Sequence, residues 1–248
     1  MLQLLAIRDL PHVQTEDDLA GLIVRSFSDF RQDDILVVAQ KIVSKAEGRI
    51  VRLDAVQPSV DAVKLAAETD KDARLVELIL REAREVVRTR PGLIVVEDVR
   101  GFICANAGID RSNIEQEGDG ESVALLPADP DRSARSLRGR IAALTGHEIG
   151  VIINDSHGRA FREGTVGVAI GVAGVPAVWD RRGEVDFTGY VLQHTSIGIA
   201  DEIASAASLI MGPAAEGVPA VVVRGMKLPA AEGRTSDLLR AREADLFR

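Results

Sequence analysis

Short apolar runs alternate along this chain with stretches of helical period, the pattern of a mixed α/β protein. Gln3–Ile7 and Asp34–Gln40 (DILVVAQ) have strand length, the second bounded by acids in front and polar residues behind. His147–Asn154 reads as a strand ending in the polar cluster Asp155-Ser156-His157-Gly158-Arg159, and Pro219–Arg224 as a buried strand. Leu93–Glu97 and Phe102–Ala105 form a hairpin around Arg100-Gly101. Helical spacing runs from Thr15, as N-cap, to Phe27, with Leu19, Leu22 and Ile23 on one face. It recurs over Ser59–Glu68 and over Asp72–Arg88, which Pro91-Gly92 closes. Asp131 caps a helix to Leu144 with Gly146 past its end, and Ser196–Met211 and Ser236–Phe247 complete the set. Gly164–Gly174 (GTVGVAIGVAG) reads two ways, as a strand that another backbone approaches closely or as a glycine loop.

The 248 residues, 46% apolar and 27% charged, are enough for a sizeable core and too apolar for disorder. Gln116–Gly120 is acidic and glycine-rich, an exposed loop. The composition break near residues 115–122 is where a subdivision would fall, but residues 1–248 are read as one domain. No run approaches the ~18–20 apolar residues that span a membrane, and MLQLLAIRDLP lacks the basic start and cleavage site of a signal peptide. A cytoplasmic enzyme is expected. The single cysteine, Cys104, excludes an internal disulfide framework and a cysteine metal cluster. With 30 basic against 38 acidic residues (net −8) and 3% aromatics, nucleic acid is not an expected partner. An acidic chain that handles phosphates needs metal ions to neutralise the added charge.

The chain has no P-loop, no G-x-S-x-G elbow and no H-E-x-x-H. Three clusters remain. Ser44-Lys45-Ala46-Glu47-Gly48-Arg49 sets two cations beside a glycine turn at a strand end, suited to a phosphate or carboxylate; taken alone, a solvated turn is the favoured reading. Asn106-Ala107-Gly108-Ile109-Asp110-Arg111-Ser112-Asn113 gathers oxygen ligands suited to Mg²⁺ or Mn²⁺, and an Asx-turn explains them equally well. In the third, Asp155 and Ser156 follow an apolar run as a carboxylate and a hydroxyl at a strand end, with Arg159 and Arg162 behind them. His157 reads as a hydrogen-bonded structural residue. Together, Asp110 and Asp155 would bridge one or two divalent ions while Lys45 and the arginines neutralise phosphate, which suits a metal-dependent enzyme acting on a nucleotide or phosphoester.

The strings LVVAQKIVSKAEGR, ICANAGIDRSN, GVIINDSHGRAFREGTVGVAIGVAG, ADEIASAASLIMG and GVPAVVVRG, in this order, closely resemble the coenzyme F420-0:L-glutamate ligase family over nearly the whole chain. The resemblance implies a distinctive α/β fold without a P-loop and an intertwined homodimer, with no C-terminal reductase domain in this chain. It implies GTP-dependent addition of L-glutamate to coenzyme F420-0, with Mg²⁺ or Mn²⁺, one or two per active site, and room for K⁺. By position, Asp110, Asp155 and Ser156 look like metal ligands, Ser156 standing where relatives often have Thr. Lys45 and Asn113 look like GTP contacts, as do Arg8, Asp9, Leu10 and Pro11. Gln40 stands at a GTP-contacting position that is Ser in some members. Met211, Gly212, Glu216 and Gly217 belong to another nucleotide and metal segment. Pro213 replaces an acidic or amide ligand there, so Glu216 or water would take its role. Lys45 and Asp155 are the residues expected to carry catalysis, with Arg159, Arg162 and Arg224 as anion clamps or, equally, as salt-bridge partners. Two other readings stay open: a GTP- and metal-binding regulatory homologue that has lost turnover, and an amide ligase with another carboxylate acceptor.

Overall fold

A strand with apolar side chains on both faces belongs in the middle of a sheet covered on both sides. A computed structural model describes residues 1–112, 114 and 120–245, and Ile35–Ala39 (β2) is such a strand. It sits in a five-stranded sheet with Gln3–Ile7 (β1), Gly150–Arg159 (β8), Arg162–Ala173 (β9) and Ala220–Arg224 (β12), in the order β1-β12-β2-β8-β9. β2 and β8 are parallel; the other neighbours are antiparallel. Alternation sends Leu36, Val38, Val151, Ile153 and Val222 to one face and Ile35, Val37, Ile152, Val221 and Val223 to the other. The first face is covered by the apolar stripes of Leu19–Ser26 (α1) and Pro130–Thr145 (α5), through Leu19, Ile23, Leu137 and Ile141. The second is covered by Ile199–Met211 (α6), through Ile199, Ile203, Ala207 and Met211.

Residues between β2 and α5 build a separate core. Val60–Thr69 (α3) and Ala73–Arg81 (α4) pack with the sheet of Ala83–Arg90 (β4), Leu93–Asp98 (β5) and Ile103–Ala105 (β6) and with the pair Ile50–Arg52 (β3) and Ser122–Ala124 (β7). Leu53, Ile79, Ile94, Val96 and Val123 are fully buried there. Gln40–Ala46 (α2) joins the two cores, packing against β7 and β8. Trp179–Asp180 (β10) pairs with Ser196–Ile197 (β11) at the base of the segment between β9 and α6. The architecture is thus mixed α/β, as the alternating pattern predicts. Among the described residues no helix is long and apolar enough to cross a membrane.

Several boundaries differ from the sequence expectation. The first helix starts at Leu19, not at Thr15. Glu16 has φ +67°, and Asp18 is the N-cap, accepting from the Gly21 N–H at 3.1 Å. The helix after Asp72 ends at Arg81, because the residues beyond it pair antiparallel with β5; Pro91-Gly92 is a hairpin turn rather than a helix stop. α2 has no side-chain cap, so no Ser, Thr, Asp or Asn announces it, and Gln40 opens this helix rather than closing the strand. Asp129 caps α5; Asp131 instead accepts from the Val172 N–H and from Thr235, tying β9 to the C-terminal segment. The polar cluster 155–159 lies within β8, not in a turn after it. Thr235–Asp237 and Arg242–Ala244 are short 3₁₀ turns where a helix over Ser236–Phe247 was expected; Leu246 and Phe247 lie outside the described residues, as does most of the loop Gln116–Gly120.

The glycine-punctuated segment is strand β9, and close approach is the reason for its glycines. A Cβ on Gly171 would stand 2.5 Å from the Pro130 carbonyl oxygen, and one on Gly167 2.7 Å from that of Ala204. Each would collide with the backbone of a covering helix, α5 or α6.

Candidate functional site

Parallel β2 and β8 end at the same edge of the central sheet, and ligands of open α/β sheets collect beyond such carboxyl ends. Register carries most of the singled-out residues there. Ala39, just before Gln40, pairs with Asn154, just before Asp155. Ile7, just before Arg8, pairs with Ala220 of β12. The Ala39 N–H reaches the Pro219 carbonyl, two residues past Gly217, at 2.9 Å. Arg8–Pro11, Gln40, Asp155 and the Met211–Gly217 loop therefore share one edge.

Asp110 reaches this edge from the smaller core. It bridges to Ala124 of β7 through two backbone hydrogen bonds, and α2 packs on both β7 and β8. Its carboxylate is fixed by Lys41 of α2, 2.9 Å away, and by the Ser112 N–H at 2.7 Å. Lys41 also donates to Ser112 Oγ at 2.7 Å. Burial pushes the Asp110 carboxyl up, but Lys41 and the Ser112 N–H outweigh it and hold the group below the usual aspartate value. Lys41, the ion-pair partner of the candidate Asp110, is a residue that sequence reading missed. Its signal was present, a second lysine one helical turn before Lys45 on the same short helix.

Asp155 is half-buried, and its Oδ2 lies 3.0 Å from His157 Nε2. The His157 ring packs edge-on to Phe102, with centroids 6.4 Å apart. As alternation requires, Asp155 and His157 share the face that carries Val151 and Ile153, toward β6. Asn154 and Ser156 follow Ile152 toward α6, so Asp155 and Ser156 leave the strand in opposite directions. On the α6 side, Asn154 donates to Met211 Sδ at 3.6 Å, and its Oδ1 is buried without a hydrogen-bond partner. An orphaned carbonyl oxygen beside Asp155 is the kind of polar group a ligand or water satisfies.

The remaining candidates are placed as follows. Lys45, in the last turn of α2, makes no ion pair among the described residues. Gln40 is 2% exposed and accepts from Ser44 Oγ at 2.9 Å. Arg8, Asp9 and Pro11 are exposed, whereas Leu10 packs on the core; Asp9 has φ +57°. Glu216 folds onto its own loop and accepts the Ala214 N–H at 2.8 Å. Asn113 lies outside the described residues. Three arginines are committed elsewhere. Arg49 is paired with Glu82 at 2.7 Å. Arg224 is paired with Asp34 and Asp29, where β12 meets Gln3 at the opposite edge of the sheet, so it is a structural salt-bridge partner and not an anion clamp. Arg159 donates to the Glu163 carbonyl at the β8–β9 hairpin end, beside exposed Arg162.

Mg²⁺ and Mn²⁺ favour hard oxygen donors, and Mg²⁺ commonly takes one or two carboxylates while keeping several waters. Asp110 and Asp155 supply such donors on one side of β8, whereas Ser156 and the buried Asn154 oxygen lie on the other. Among the described residues no three His, Cys, Asp or Glu side chains gather tightly enough to hold an ion by themselves. Asp110 and Asp155 thus fit a hydrated ion shared with a phosphate, which would take its remaining ligands from water and phosphate oxygens. Cys104 adds nothing to it: burial pushes its thiol up to about 12, leaving it protonated. Two clefts, of about 460 and 360 Å³, open elsewhere, and Lys45, Asp110 and Asp155 line neither.

Comparison with known proteins decides the family. The model of the F420-0:gamma-glutamyl ligase family matches residues 8–225. The chain belongs to this family. Its relatives include proteins named coenzyme F420:L-glutamate ligase from Methanothermobacter thermautotrophicus, 47% identical over all of this chain and 99% of that protein. The Methanopyrus kandleri protein of that name is 48% identical over 95% of this chain and 93% of its own length. The one from Archaeoglobus fulgidus is 47% identical over 98% and 94%. The family match spans every candidate at the sheet edge, from Arg8 to Gly217.

Proposed function

We propose that this protein is a GTP-dependent ligase that joins L-glutamate to coenzyme F420-0, forming an amide and then γ-glutamyl links. The observation that carries the reading is the edge itself. One end of the central sheet brings together Asp155, the Lys41–Asp110 pair and the Met211–Gly217 loop, in a chain whose relatives are named coenzyme F420:L-glutamate ligase. A free carboxylate of the acceptor attacks the γ-phosphorus of GTP, giving an acyl phosphate and GDP. The glutamate amine then attacks the acyl carbon, the C–O bond to phosphate breaks, and the proton lost from nitrogen goes to solvent or phosphate.

Asp110 and Asp155 would hold the divalent ion, with Ser156 and Glu216 serving a second one on the α6 side of β8. A bound Mg²⁺ or Mn²⁺ supplies charge neutralisation at the phosphate oxygens. The chain's own residues do the rest. Lys45, unpaired among the described residues, is available to stabilise charge developing on the transferred phosphoryl group. Lys41 keeps Asp110 ionised and aimed at the edge. Asp155 is oriented by His157. Arg8–Pro11, Gln40, Asn113 and the Met211–Gly217 loop are the proposed nucleotide contacts. We also propose that the active enzyme is a homodimer in the cytoplasm, in which a second copy would cover exposed apolar side chains such as Phe161 and Leu209.

The test is GDP release from GTP with Mn²⁺ or Mg²⁺ and L-glutamate, with and without F420-0, followed by mass analysis. Acceptor-dependent GDP together with a product heavier by glutamyl units is the expected result. GTP binding without acceptor-dependent turnover would overturn the reading.

A further inference from the structure

The cleft of about 360 Å³ lies in the smaller core, bounded by Asp70–Asp72, Gly92 and the segment from Asn106 to Arg111, with Glu121 opposite. Its size falls within the range of small-molecule sites and accommodates an amino acid with a few waters. Its charges are unusual in how they are paired. Asp72 spends both carboxylate oxygens on Arg74, and Glu121 takes Arg111 Nε at 3.0 Å; among the described residues the terminal nitrogens of Arg111 make no ion pair. Among the described residues, Lys71 and Asp70 have no ion-pair partner, although they are adjacent in the chain and line the same cleft. Asn106 receives the Ile94 N–H on its Oδ1, so its amide N–H₂ remains to donate. Asp70 ends α3 as a left-handed cap, and Asn106 and Ala107 turn the chain in the same conformation, with φ of +52°, +51° and +55°. Burial and the charge of Arg111 together pull the Lys71 ammonium below the ordinary lysine value. Lys71 and Arg111 thus face the cleft together with the carboxylates of Asp70, Asp72 and Glu121, so both signs of charge line one space.

We propose that this cleft binds the incoming amino acid, an α-amino acid with a second carboxylate, Lys71 and Arg111 receiving its carboxylates and Asp70 its ammonium. The inference rests on the ligase reading, which requires a site for glutamate. Position agrees with it: Arg111 follows Asp110 directly, and Asp110 turns to Lys41 on the other side of the same segment. The cleft is therefore one backbone width from the carboxylate assigned to the metal. A phosphate-binding site would have no use for the free Asp70 carboxylate, whereas a zwitterion needs both signs of charge.

The experiment is calorimetric titration of the full-length protein with L-glutamate and with glutarate, which keeps both carboxylates and lacks the ammonium. Lys71→Met should weaken both ligands by about tenfold or more, the loss of a charge-assisted contact. Asp70→Asn should weaken glutamate and leave glutarate unchanged. In turnover, Lys71→Met should raise the glutamate KM by a similar factor with the GTP KM unchanged. Glutamate binding undiminished in Lys71→Met, or Asp70→Asn affecting glutarate as much as glutamate, would overturn the assignment. The binding arm needs no turnover, so it is read independently of whether acceptor-dependent GDP release is found. A failed ligase assay with the binding pattern intact would remove the activity and keep the site.

Discussion

Lys41→Met is the perturbation with the clearest sign at the sheet edge. The lysine ammonium stands 2.9 Å from Asp110 Oδ2, with the two side chains 19% and 33% exposed. At that distance and an effective dielectric of about 20, the gross attraction is about 332/(20 × 2.9), or ~6 kcal/mol. Most of this offsets the desolvation of the two groups, leaving about 1–2 kcal/mol for a partly exposed pair. A divalent ion binding at Asp110 must overcome that interaction and the repulsion of the ammonium. Removing Lys41 should therefore tighten Mn²⁺ binding in the absence of nucleotide by about five- to thirtyfold. The pH dependence changes too. With Lys41 present, Asp110 is held below its ordinary 3.8. Without it, burial is the leading influence and raises the carboxyl, so protons compete with Mn²⁺ at higher pH and the acid limb of the binding curve moves up. Electron paramagnetic resonance of free Mn²⁺, titrated across pH 4 to 8 in both proteins, measures the affinity and the limb together. Affinity unchanged or weaker in Lys41→Met would show that Asp110 is not a cation ligand.

Three further outcomes are expected. Asp155→Ala should lower acceptor-dependent GDP release by about a hundredfold or more while the melting temperature stays close to that of the parent, since His157 is its side-chain partner; near-normal turnover would remove Asp155 from the metal site. Gly171→Ala places a Cβ 2.5 Å from the Pro130 carbonyl oxygen and should cost about 1–3 kcal/mol in urea unfolding, because backbone rather than a flexible side chain must move. Glu77, which accepts hydrogen bonds from Ser59 and Arg81, is held at about 2 against an ordinary 4.5. A depressed carboxyl stabilises above its unfolded value and loses that contribution as pH falls from 4.5 towards 2. Glu77→Gln should cost about 1–3 kcal/mol at pH 7, and the difference should close as the pH is lowered through that window.

Local pattern alone was enough to find four of the five strands of the central sheet and the three helices that cover it. In β2 there is no alternation of apolar and polar positions; Ile35, Leu36, Val37 and Val38 are all buried, and a continuous apolar run of strand length fits an interior strand. Amphipathic spacing located α1, α5 and α6 to within a few residues, because one apolar stripe must face the sheet. Ordered motifs named the family before any geometry was known, and the family match bears that out.

Long-range packing settled what local pattern leaves degenerate. Residues 83–88 read as the end of a helix, and pairing with β5 makes Ala83–Arg90 a strand instead. The glycines of β9 fit a loop or a close approach until α5 and α6 are laid against them. Tertiary contacts also sorted the charged side chains. Lys45, Arg49 and Arg224 look alike as cations in the sequence, yet Arg49 and Arg224 meet carboxylates 33 and 190 residues away while Lys45 meets none among the described residues. Lys41 became the ion-pair partner of Asp110 only when that residue, 69 residues later, was folded against α2. A motif records which groups are near in the chain; a charge acts on whatever the fold brings within a few ångströms of it.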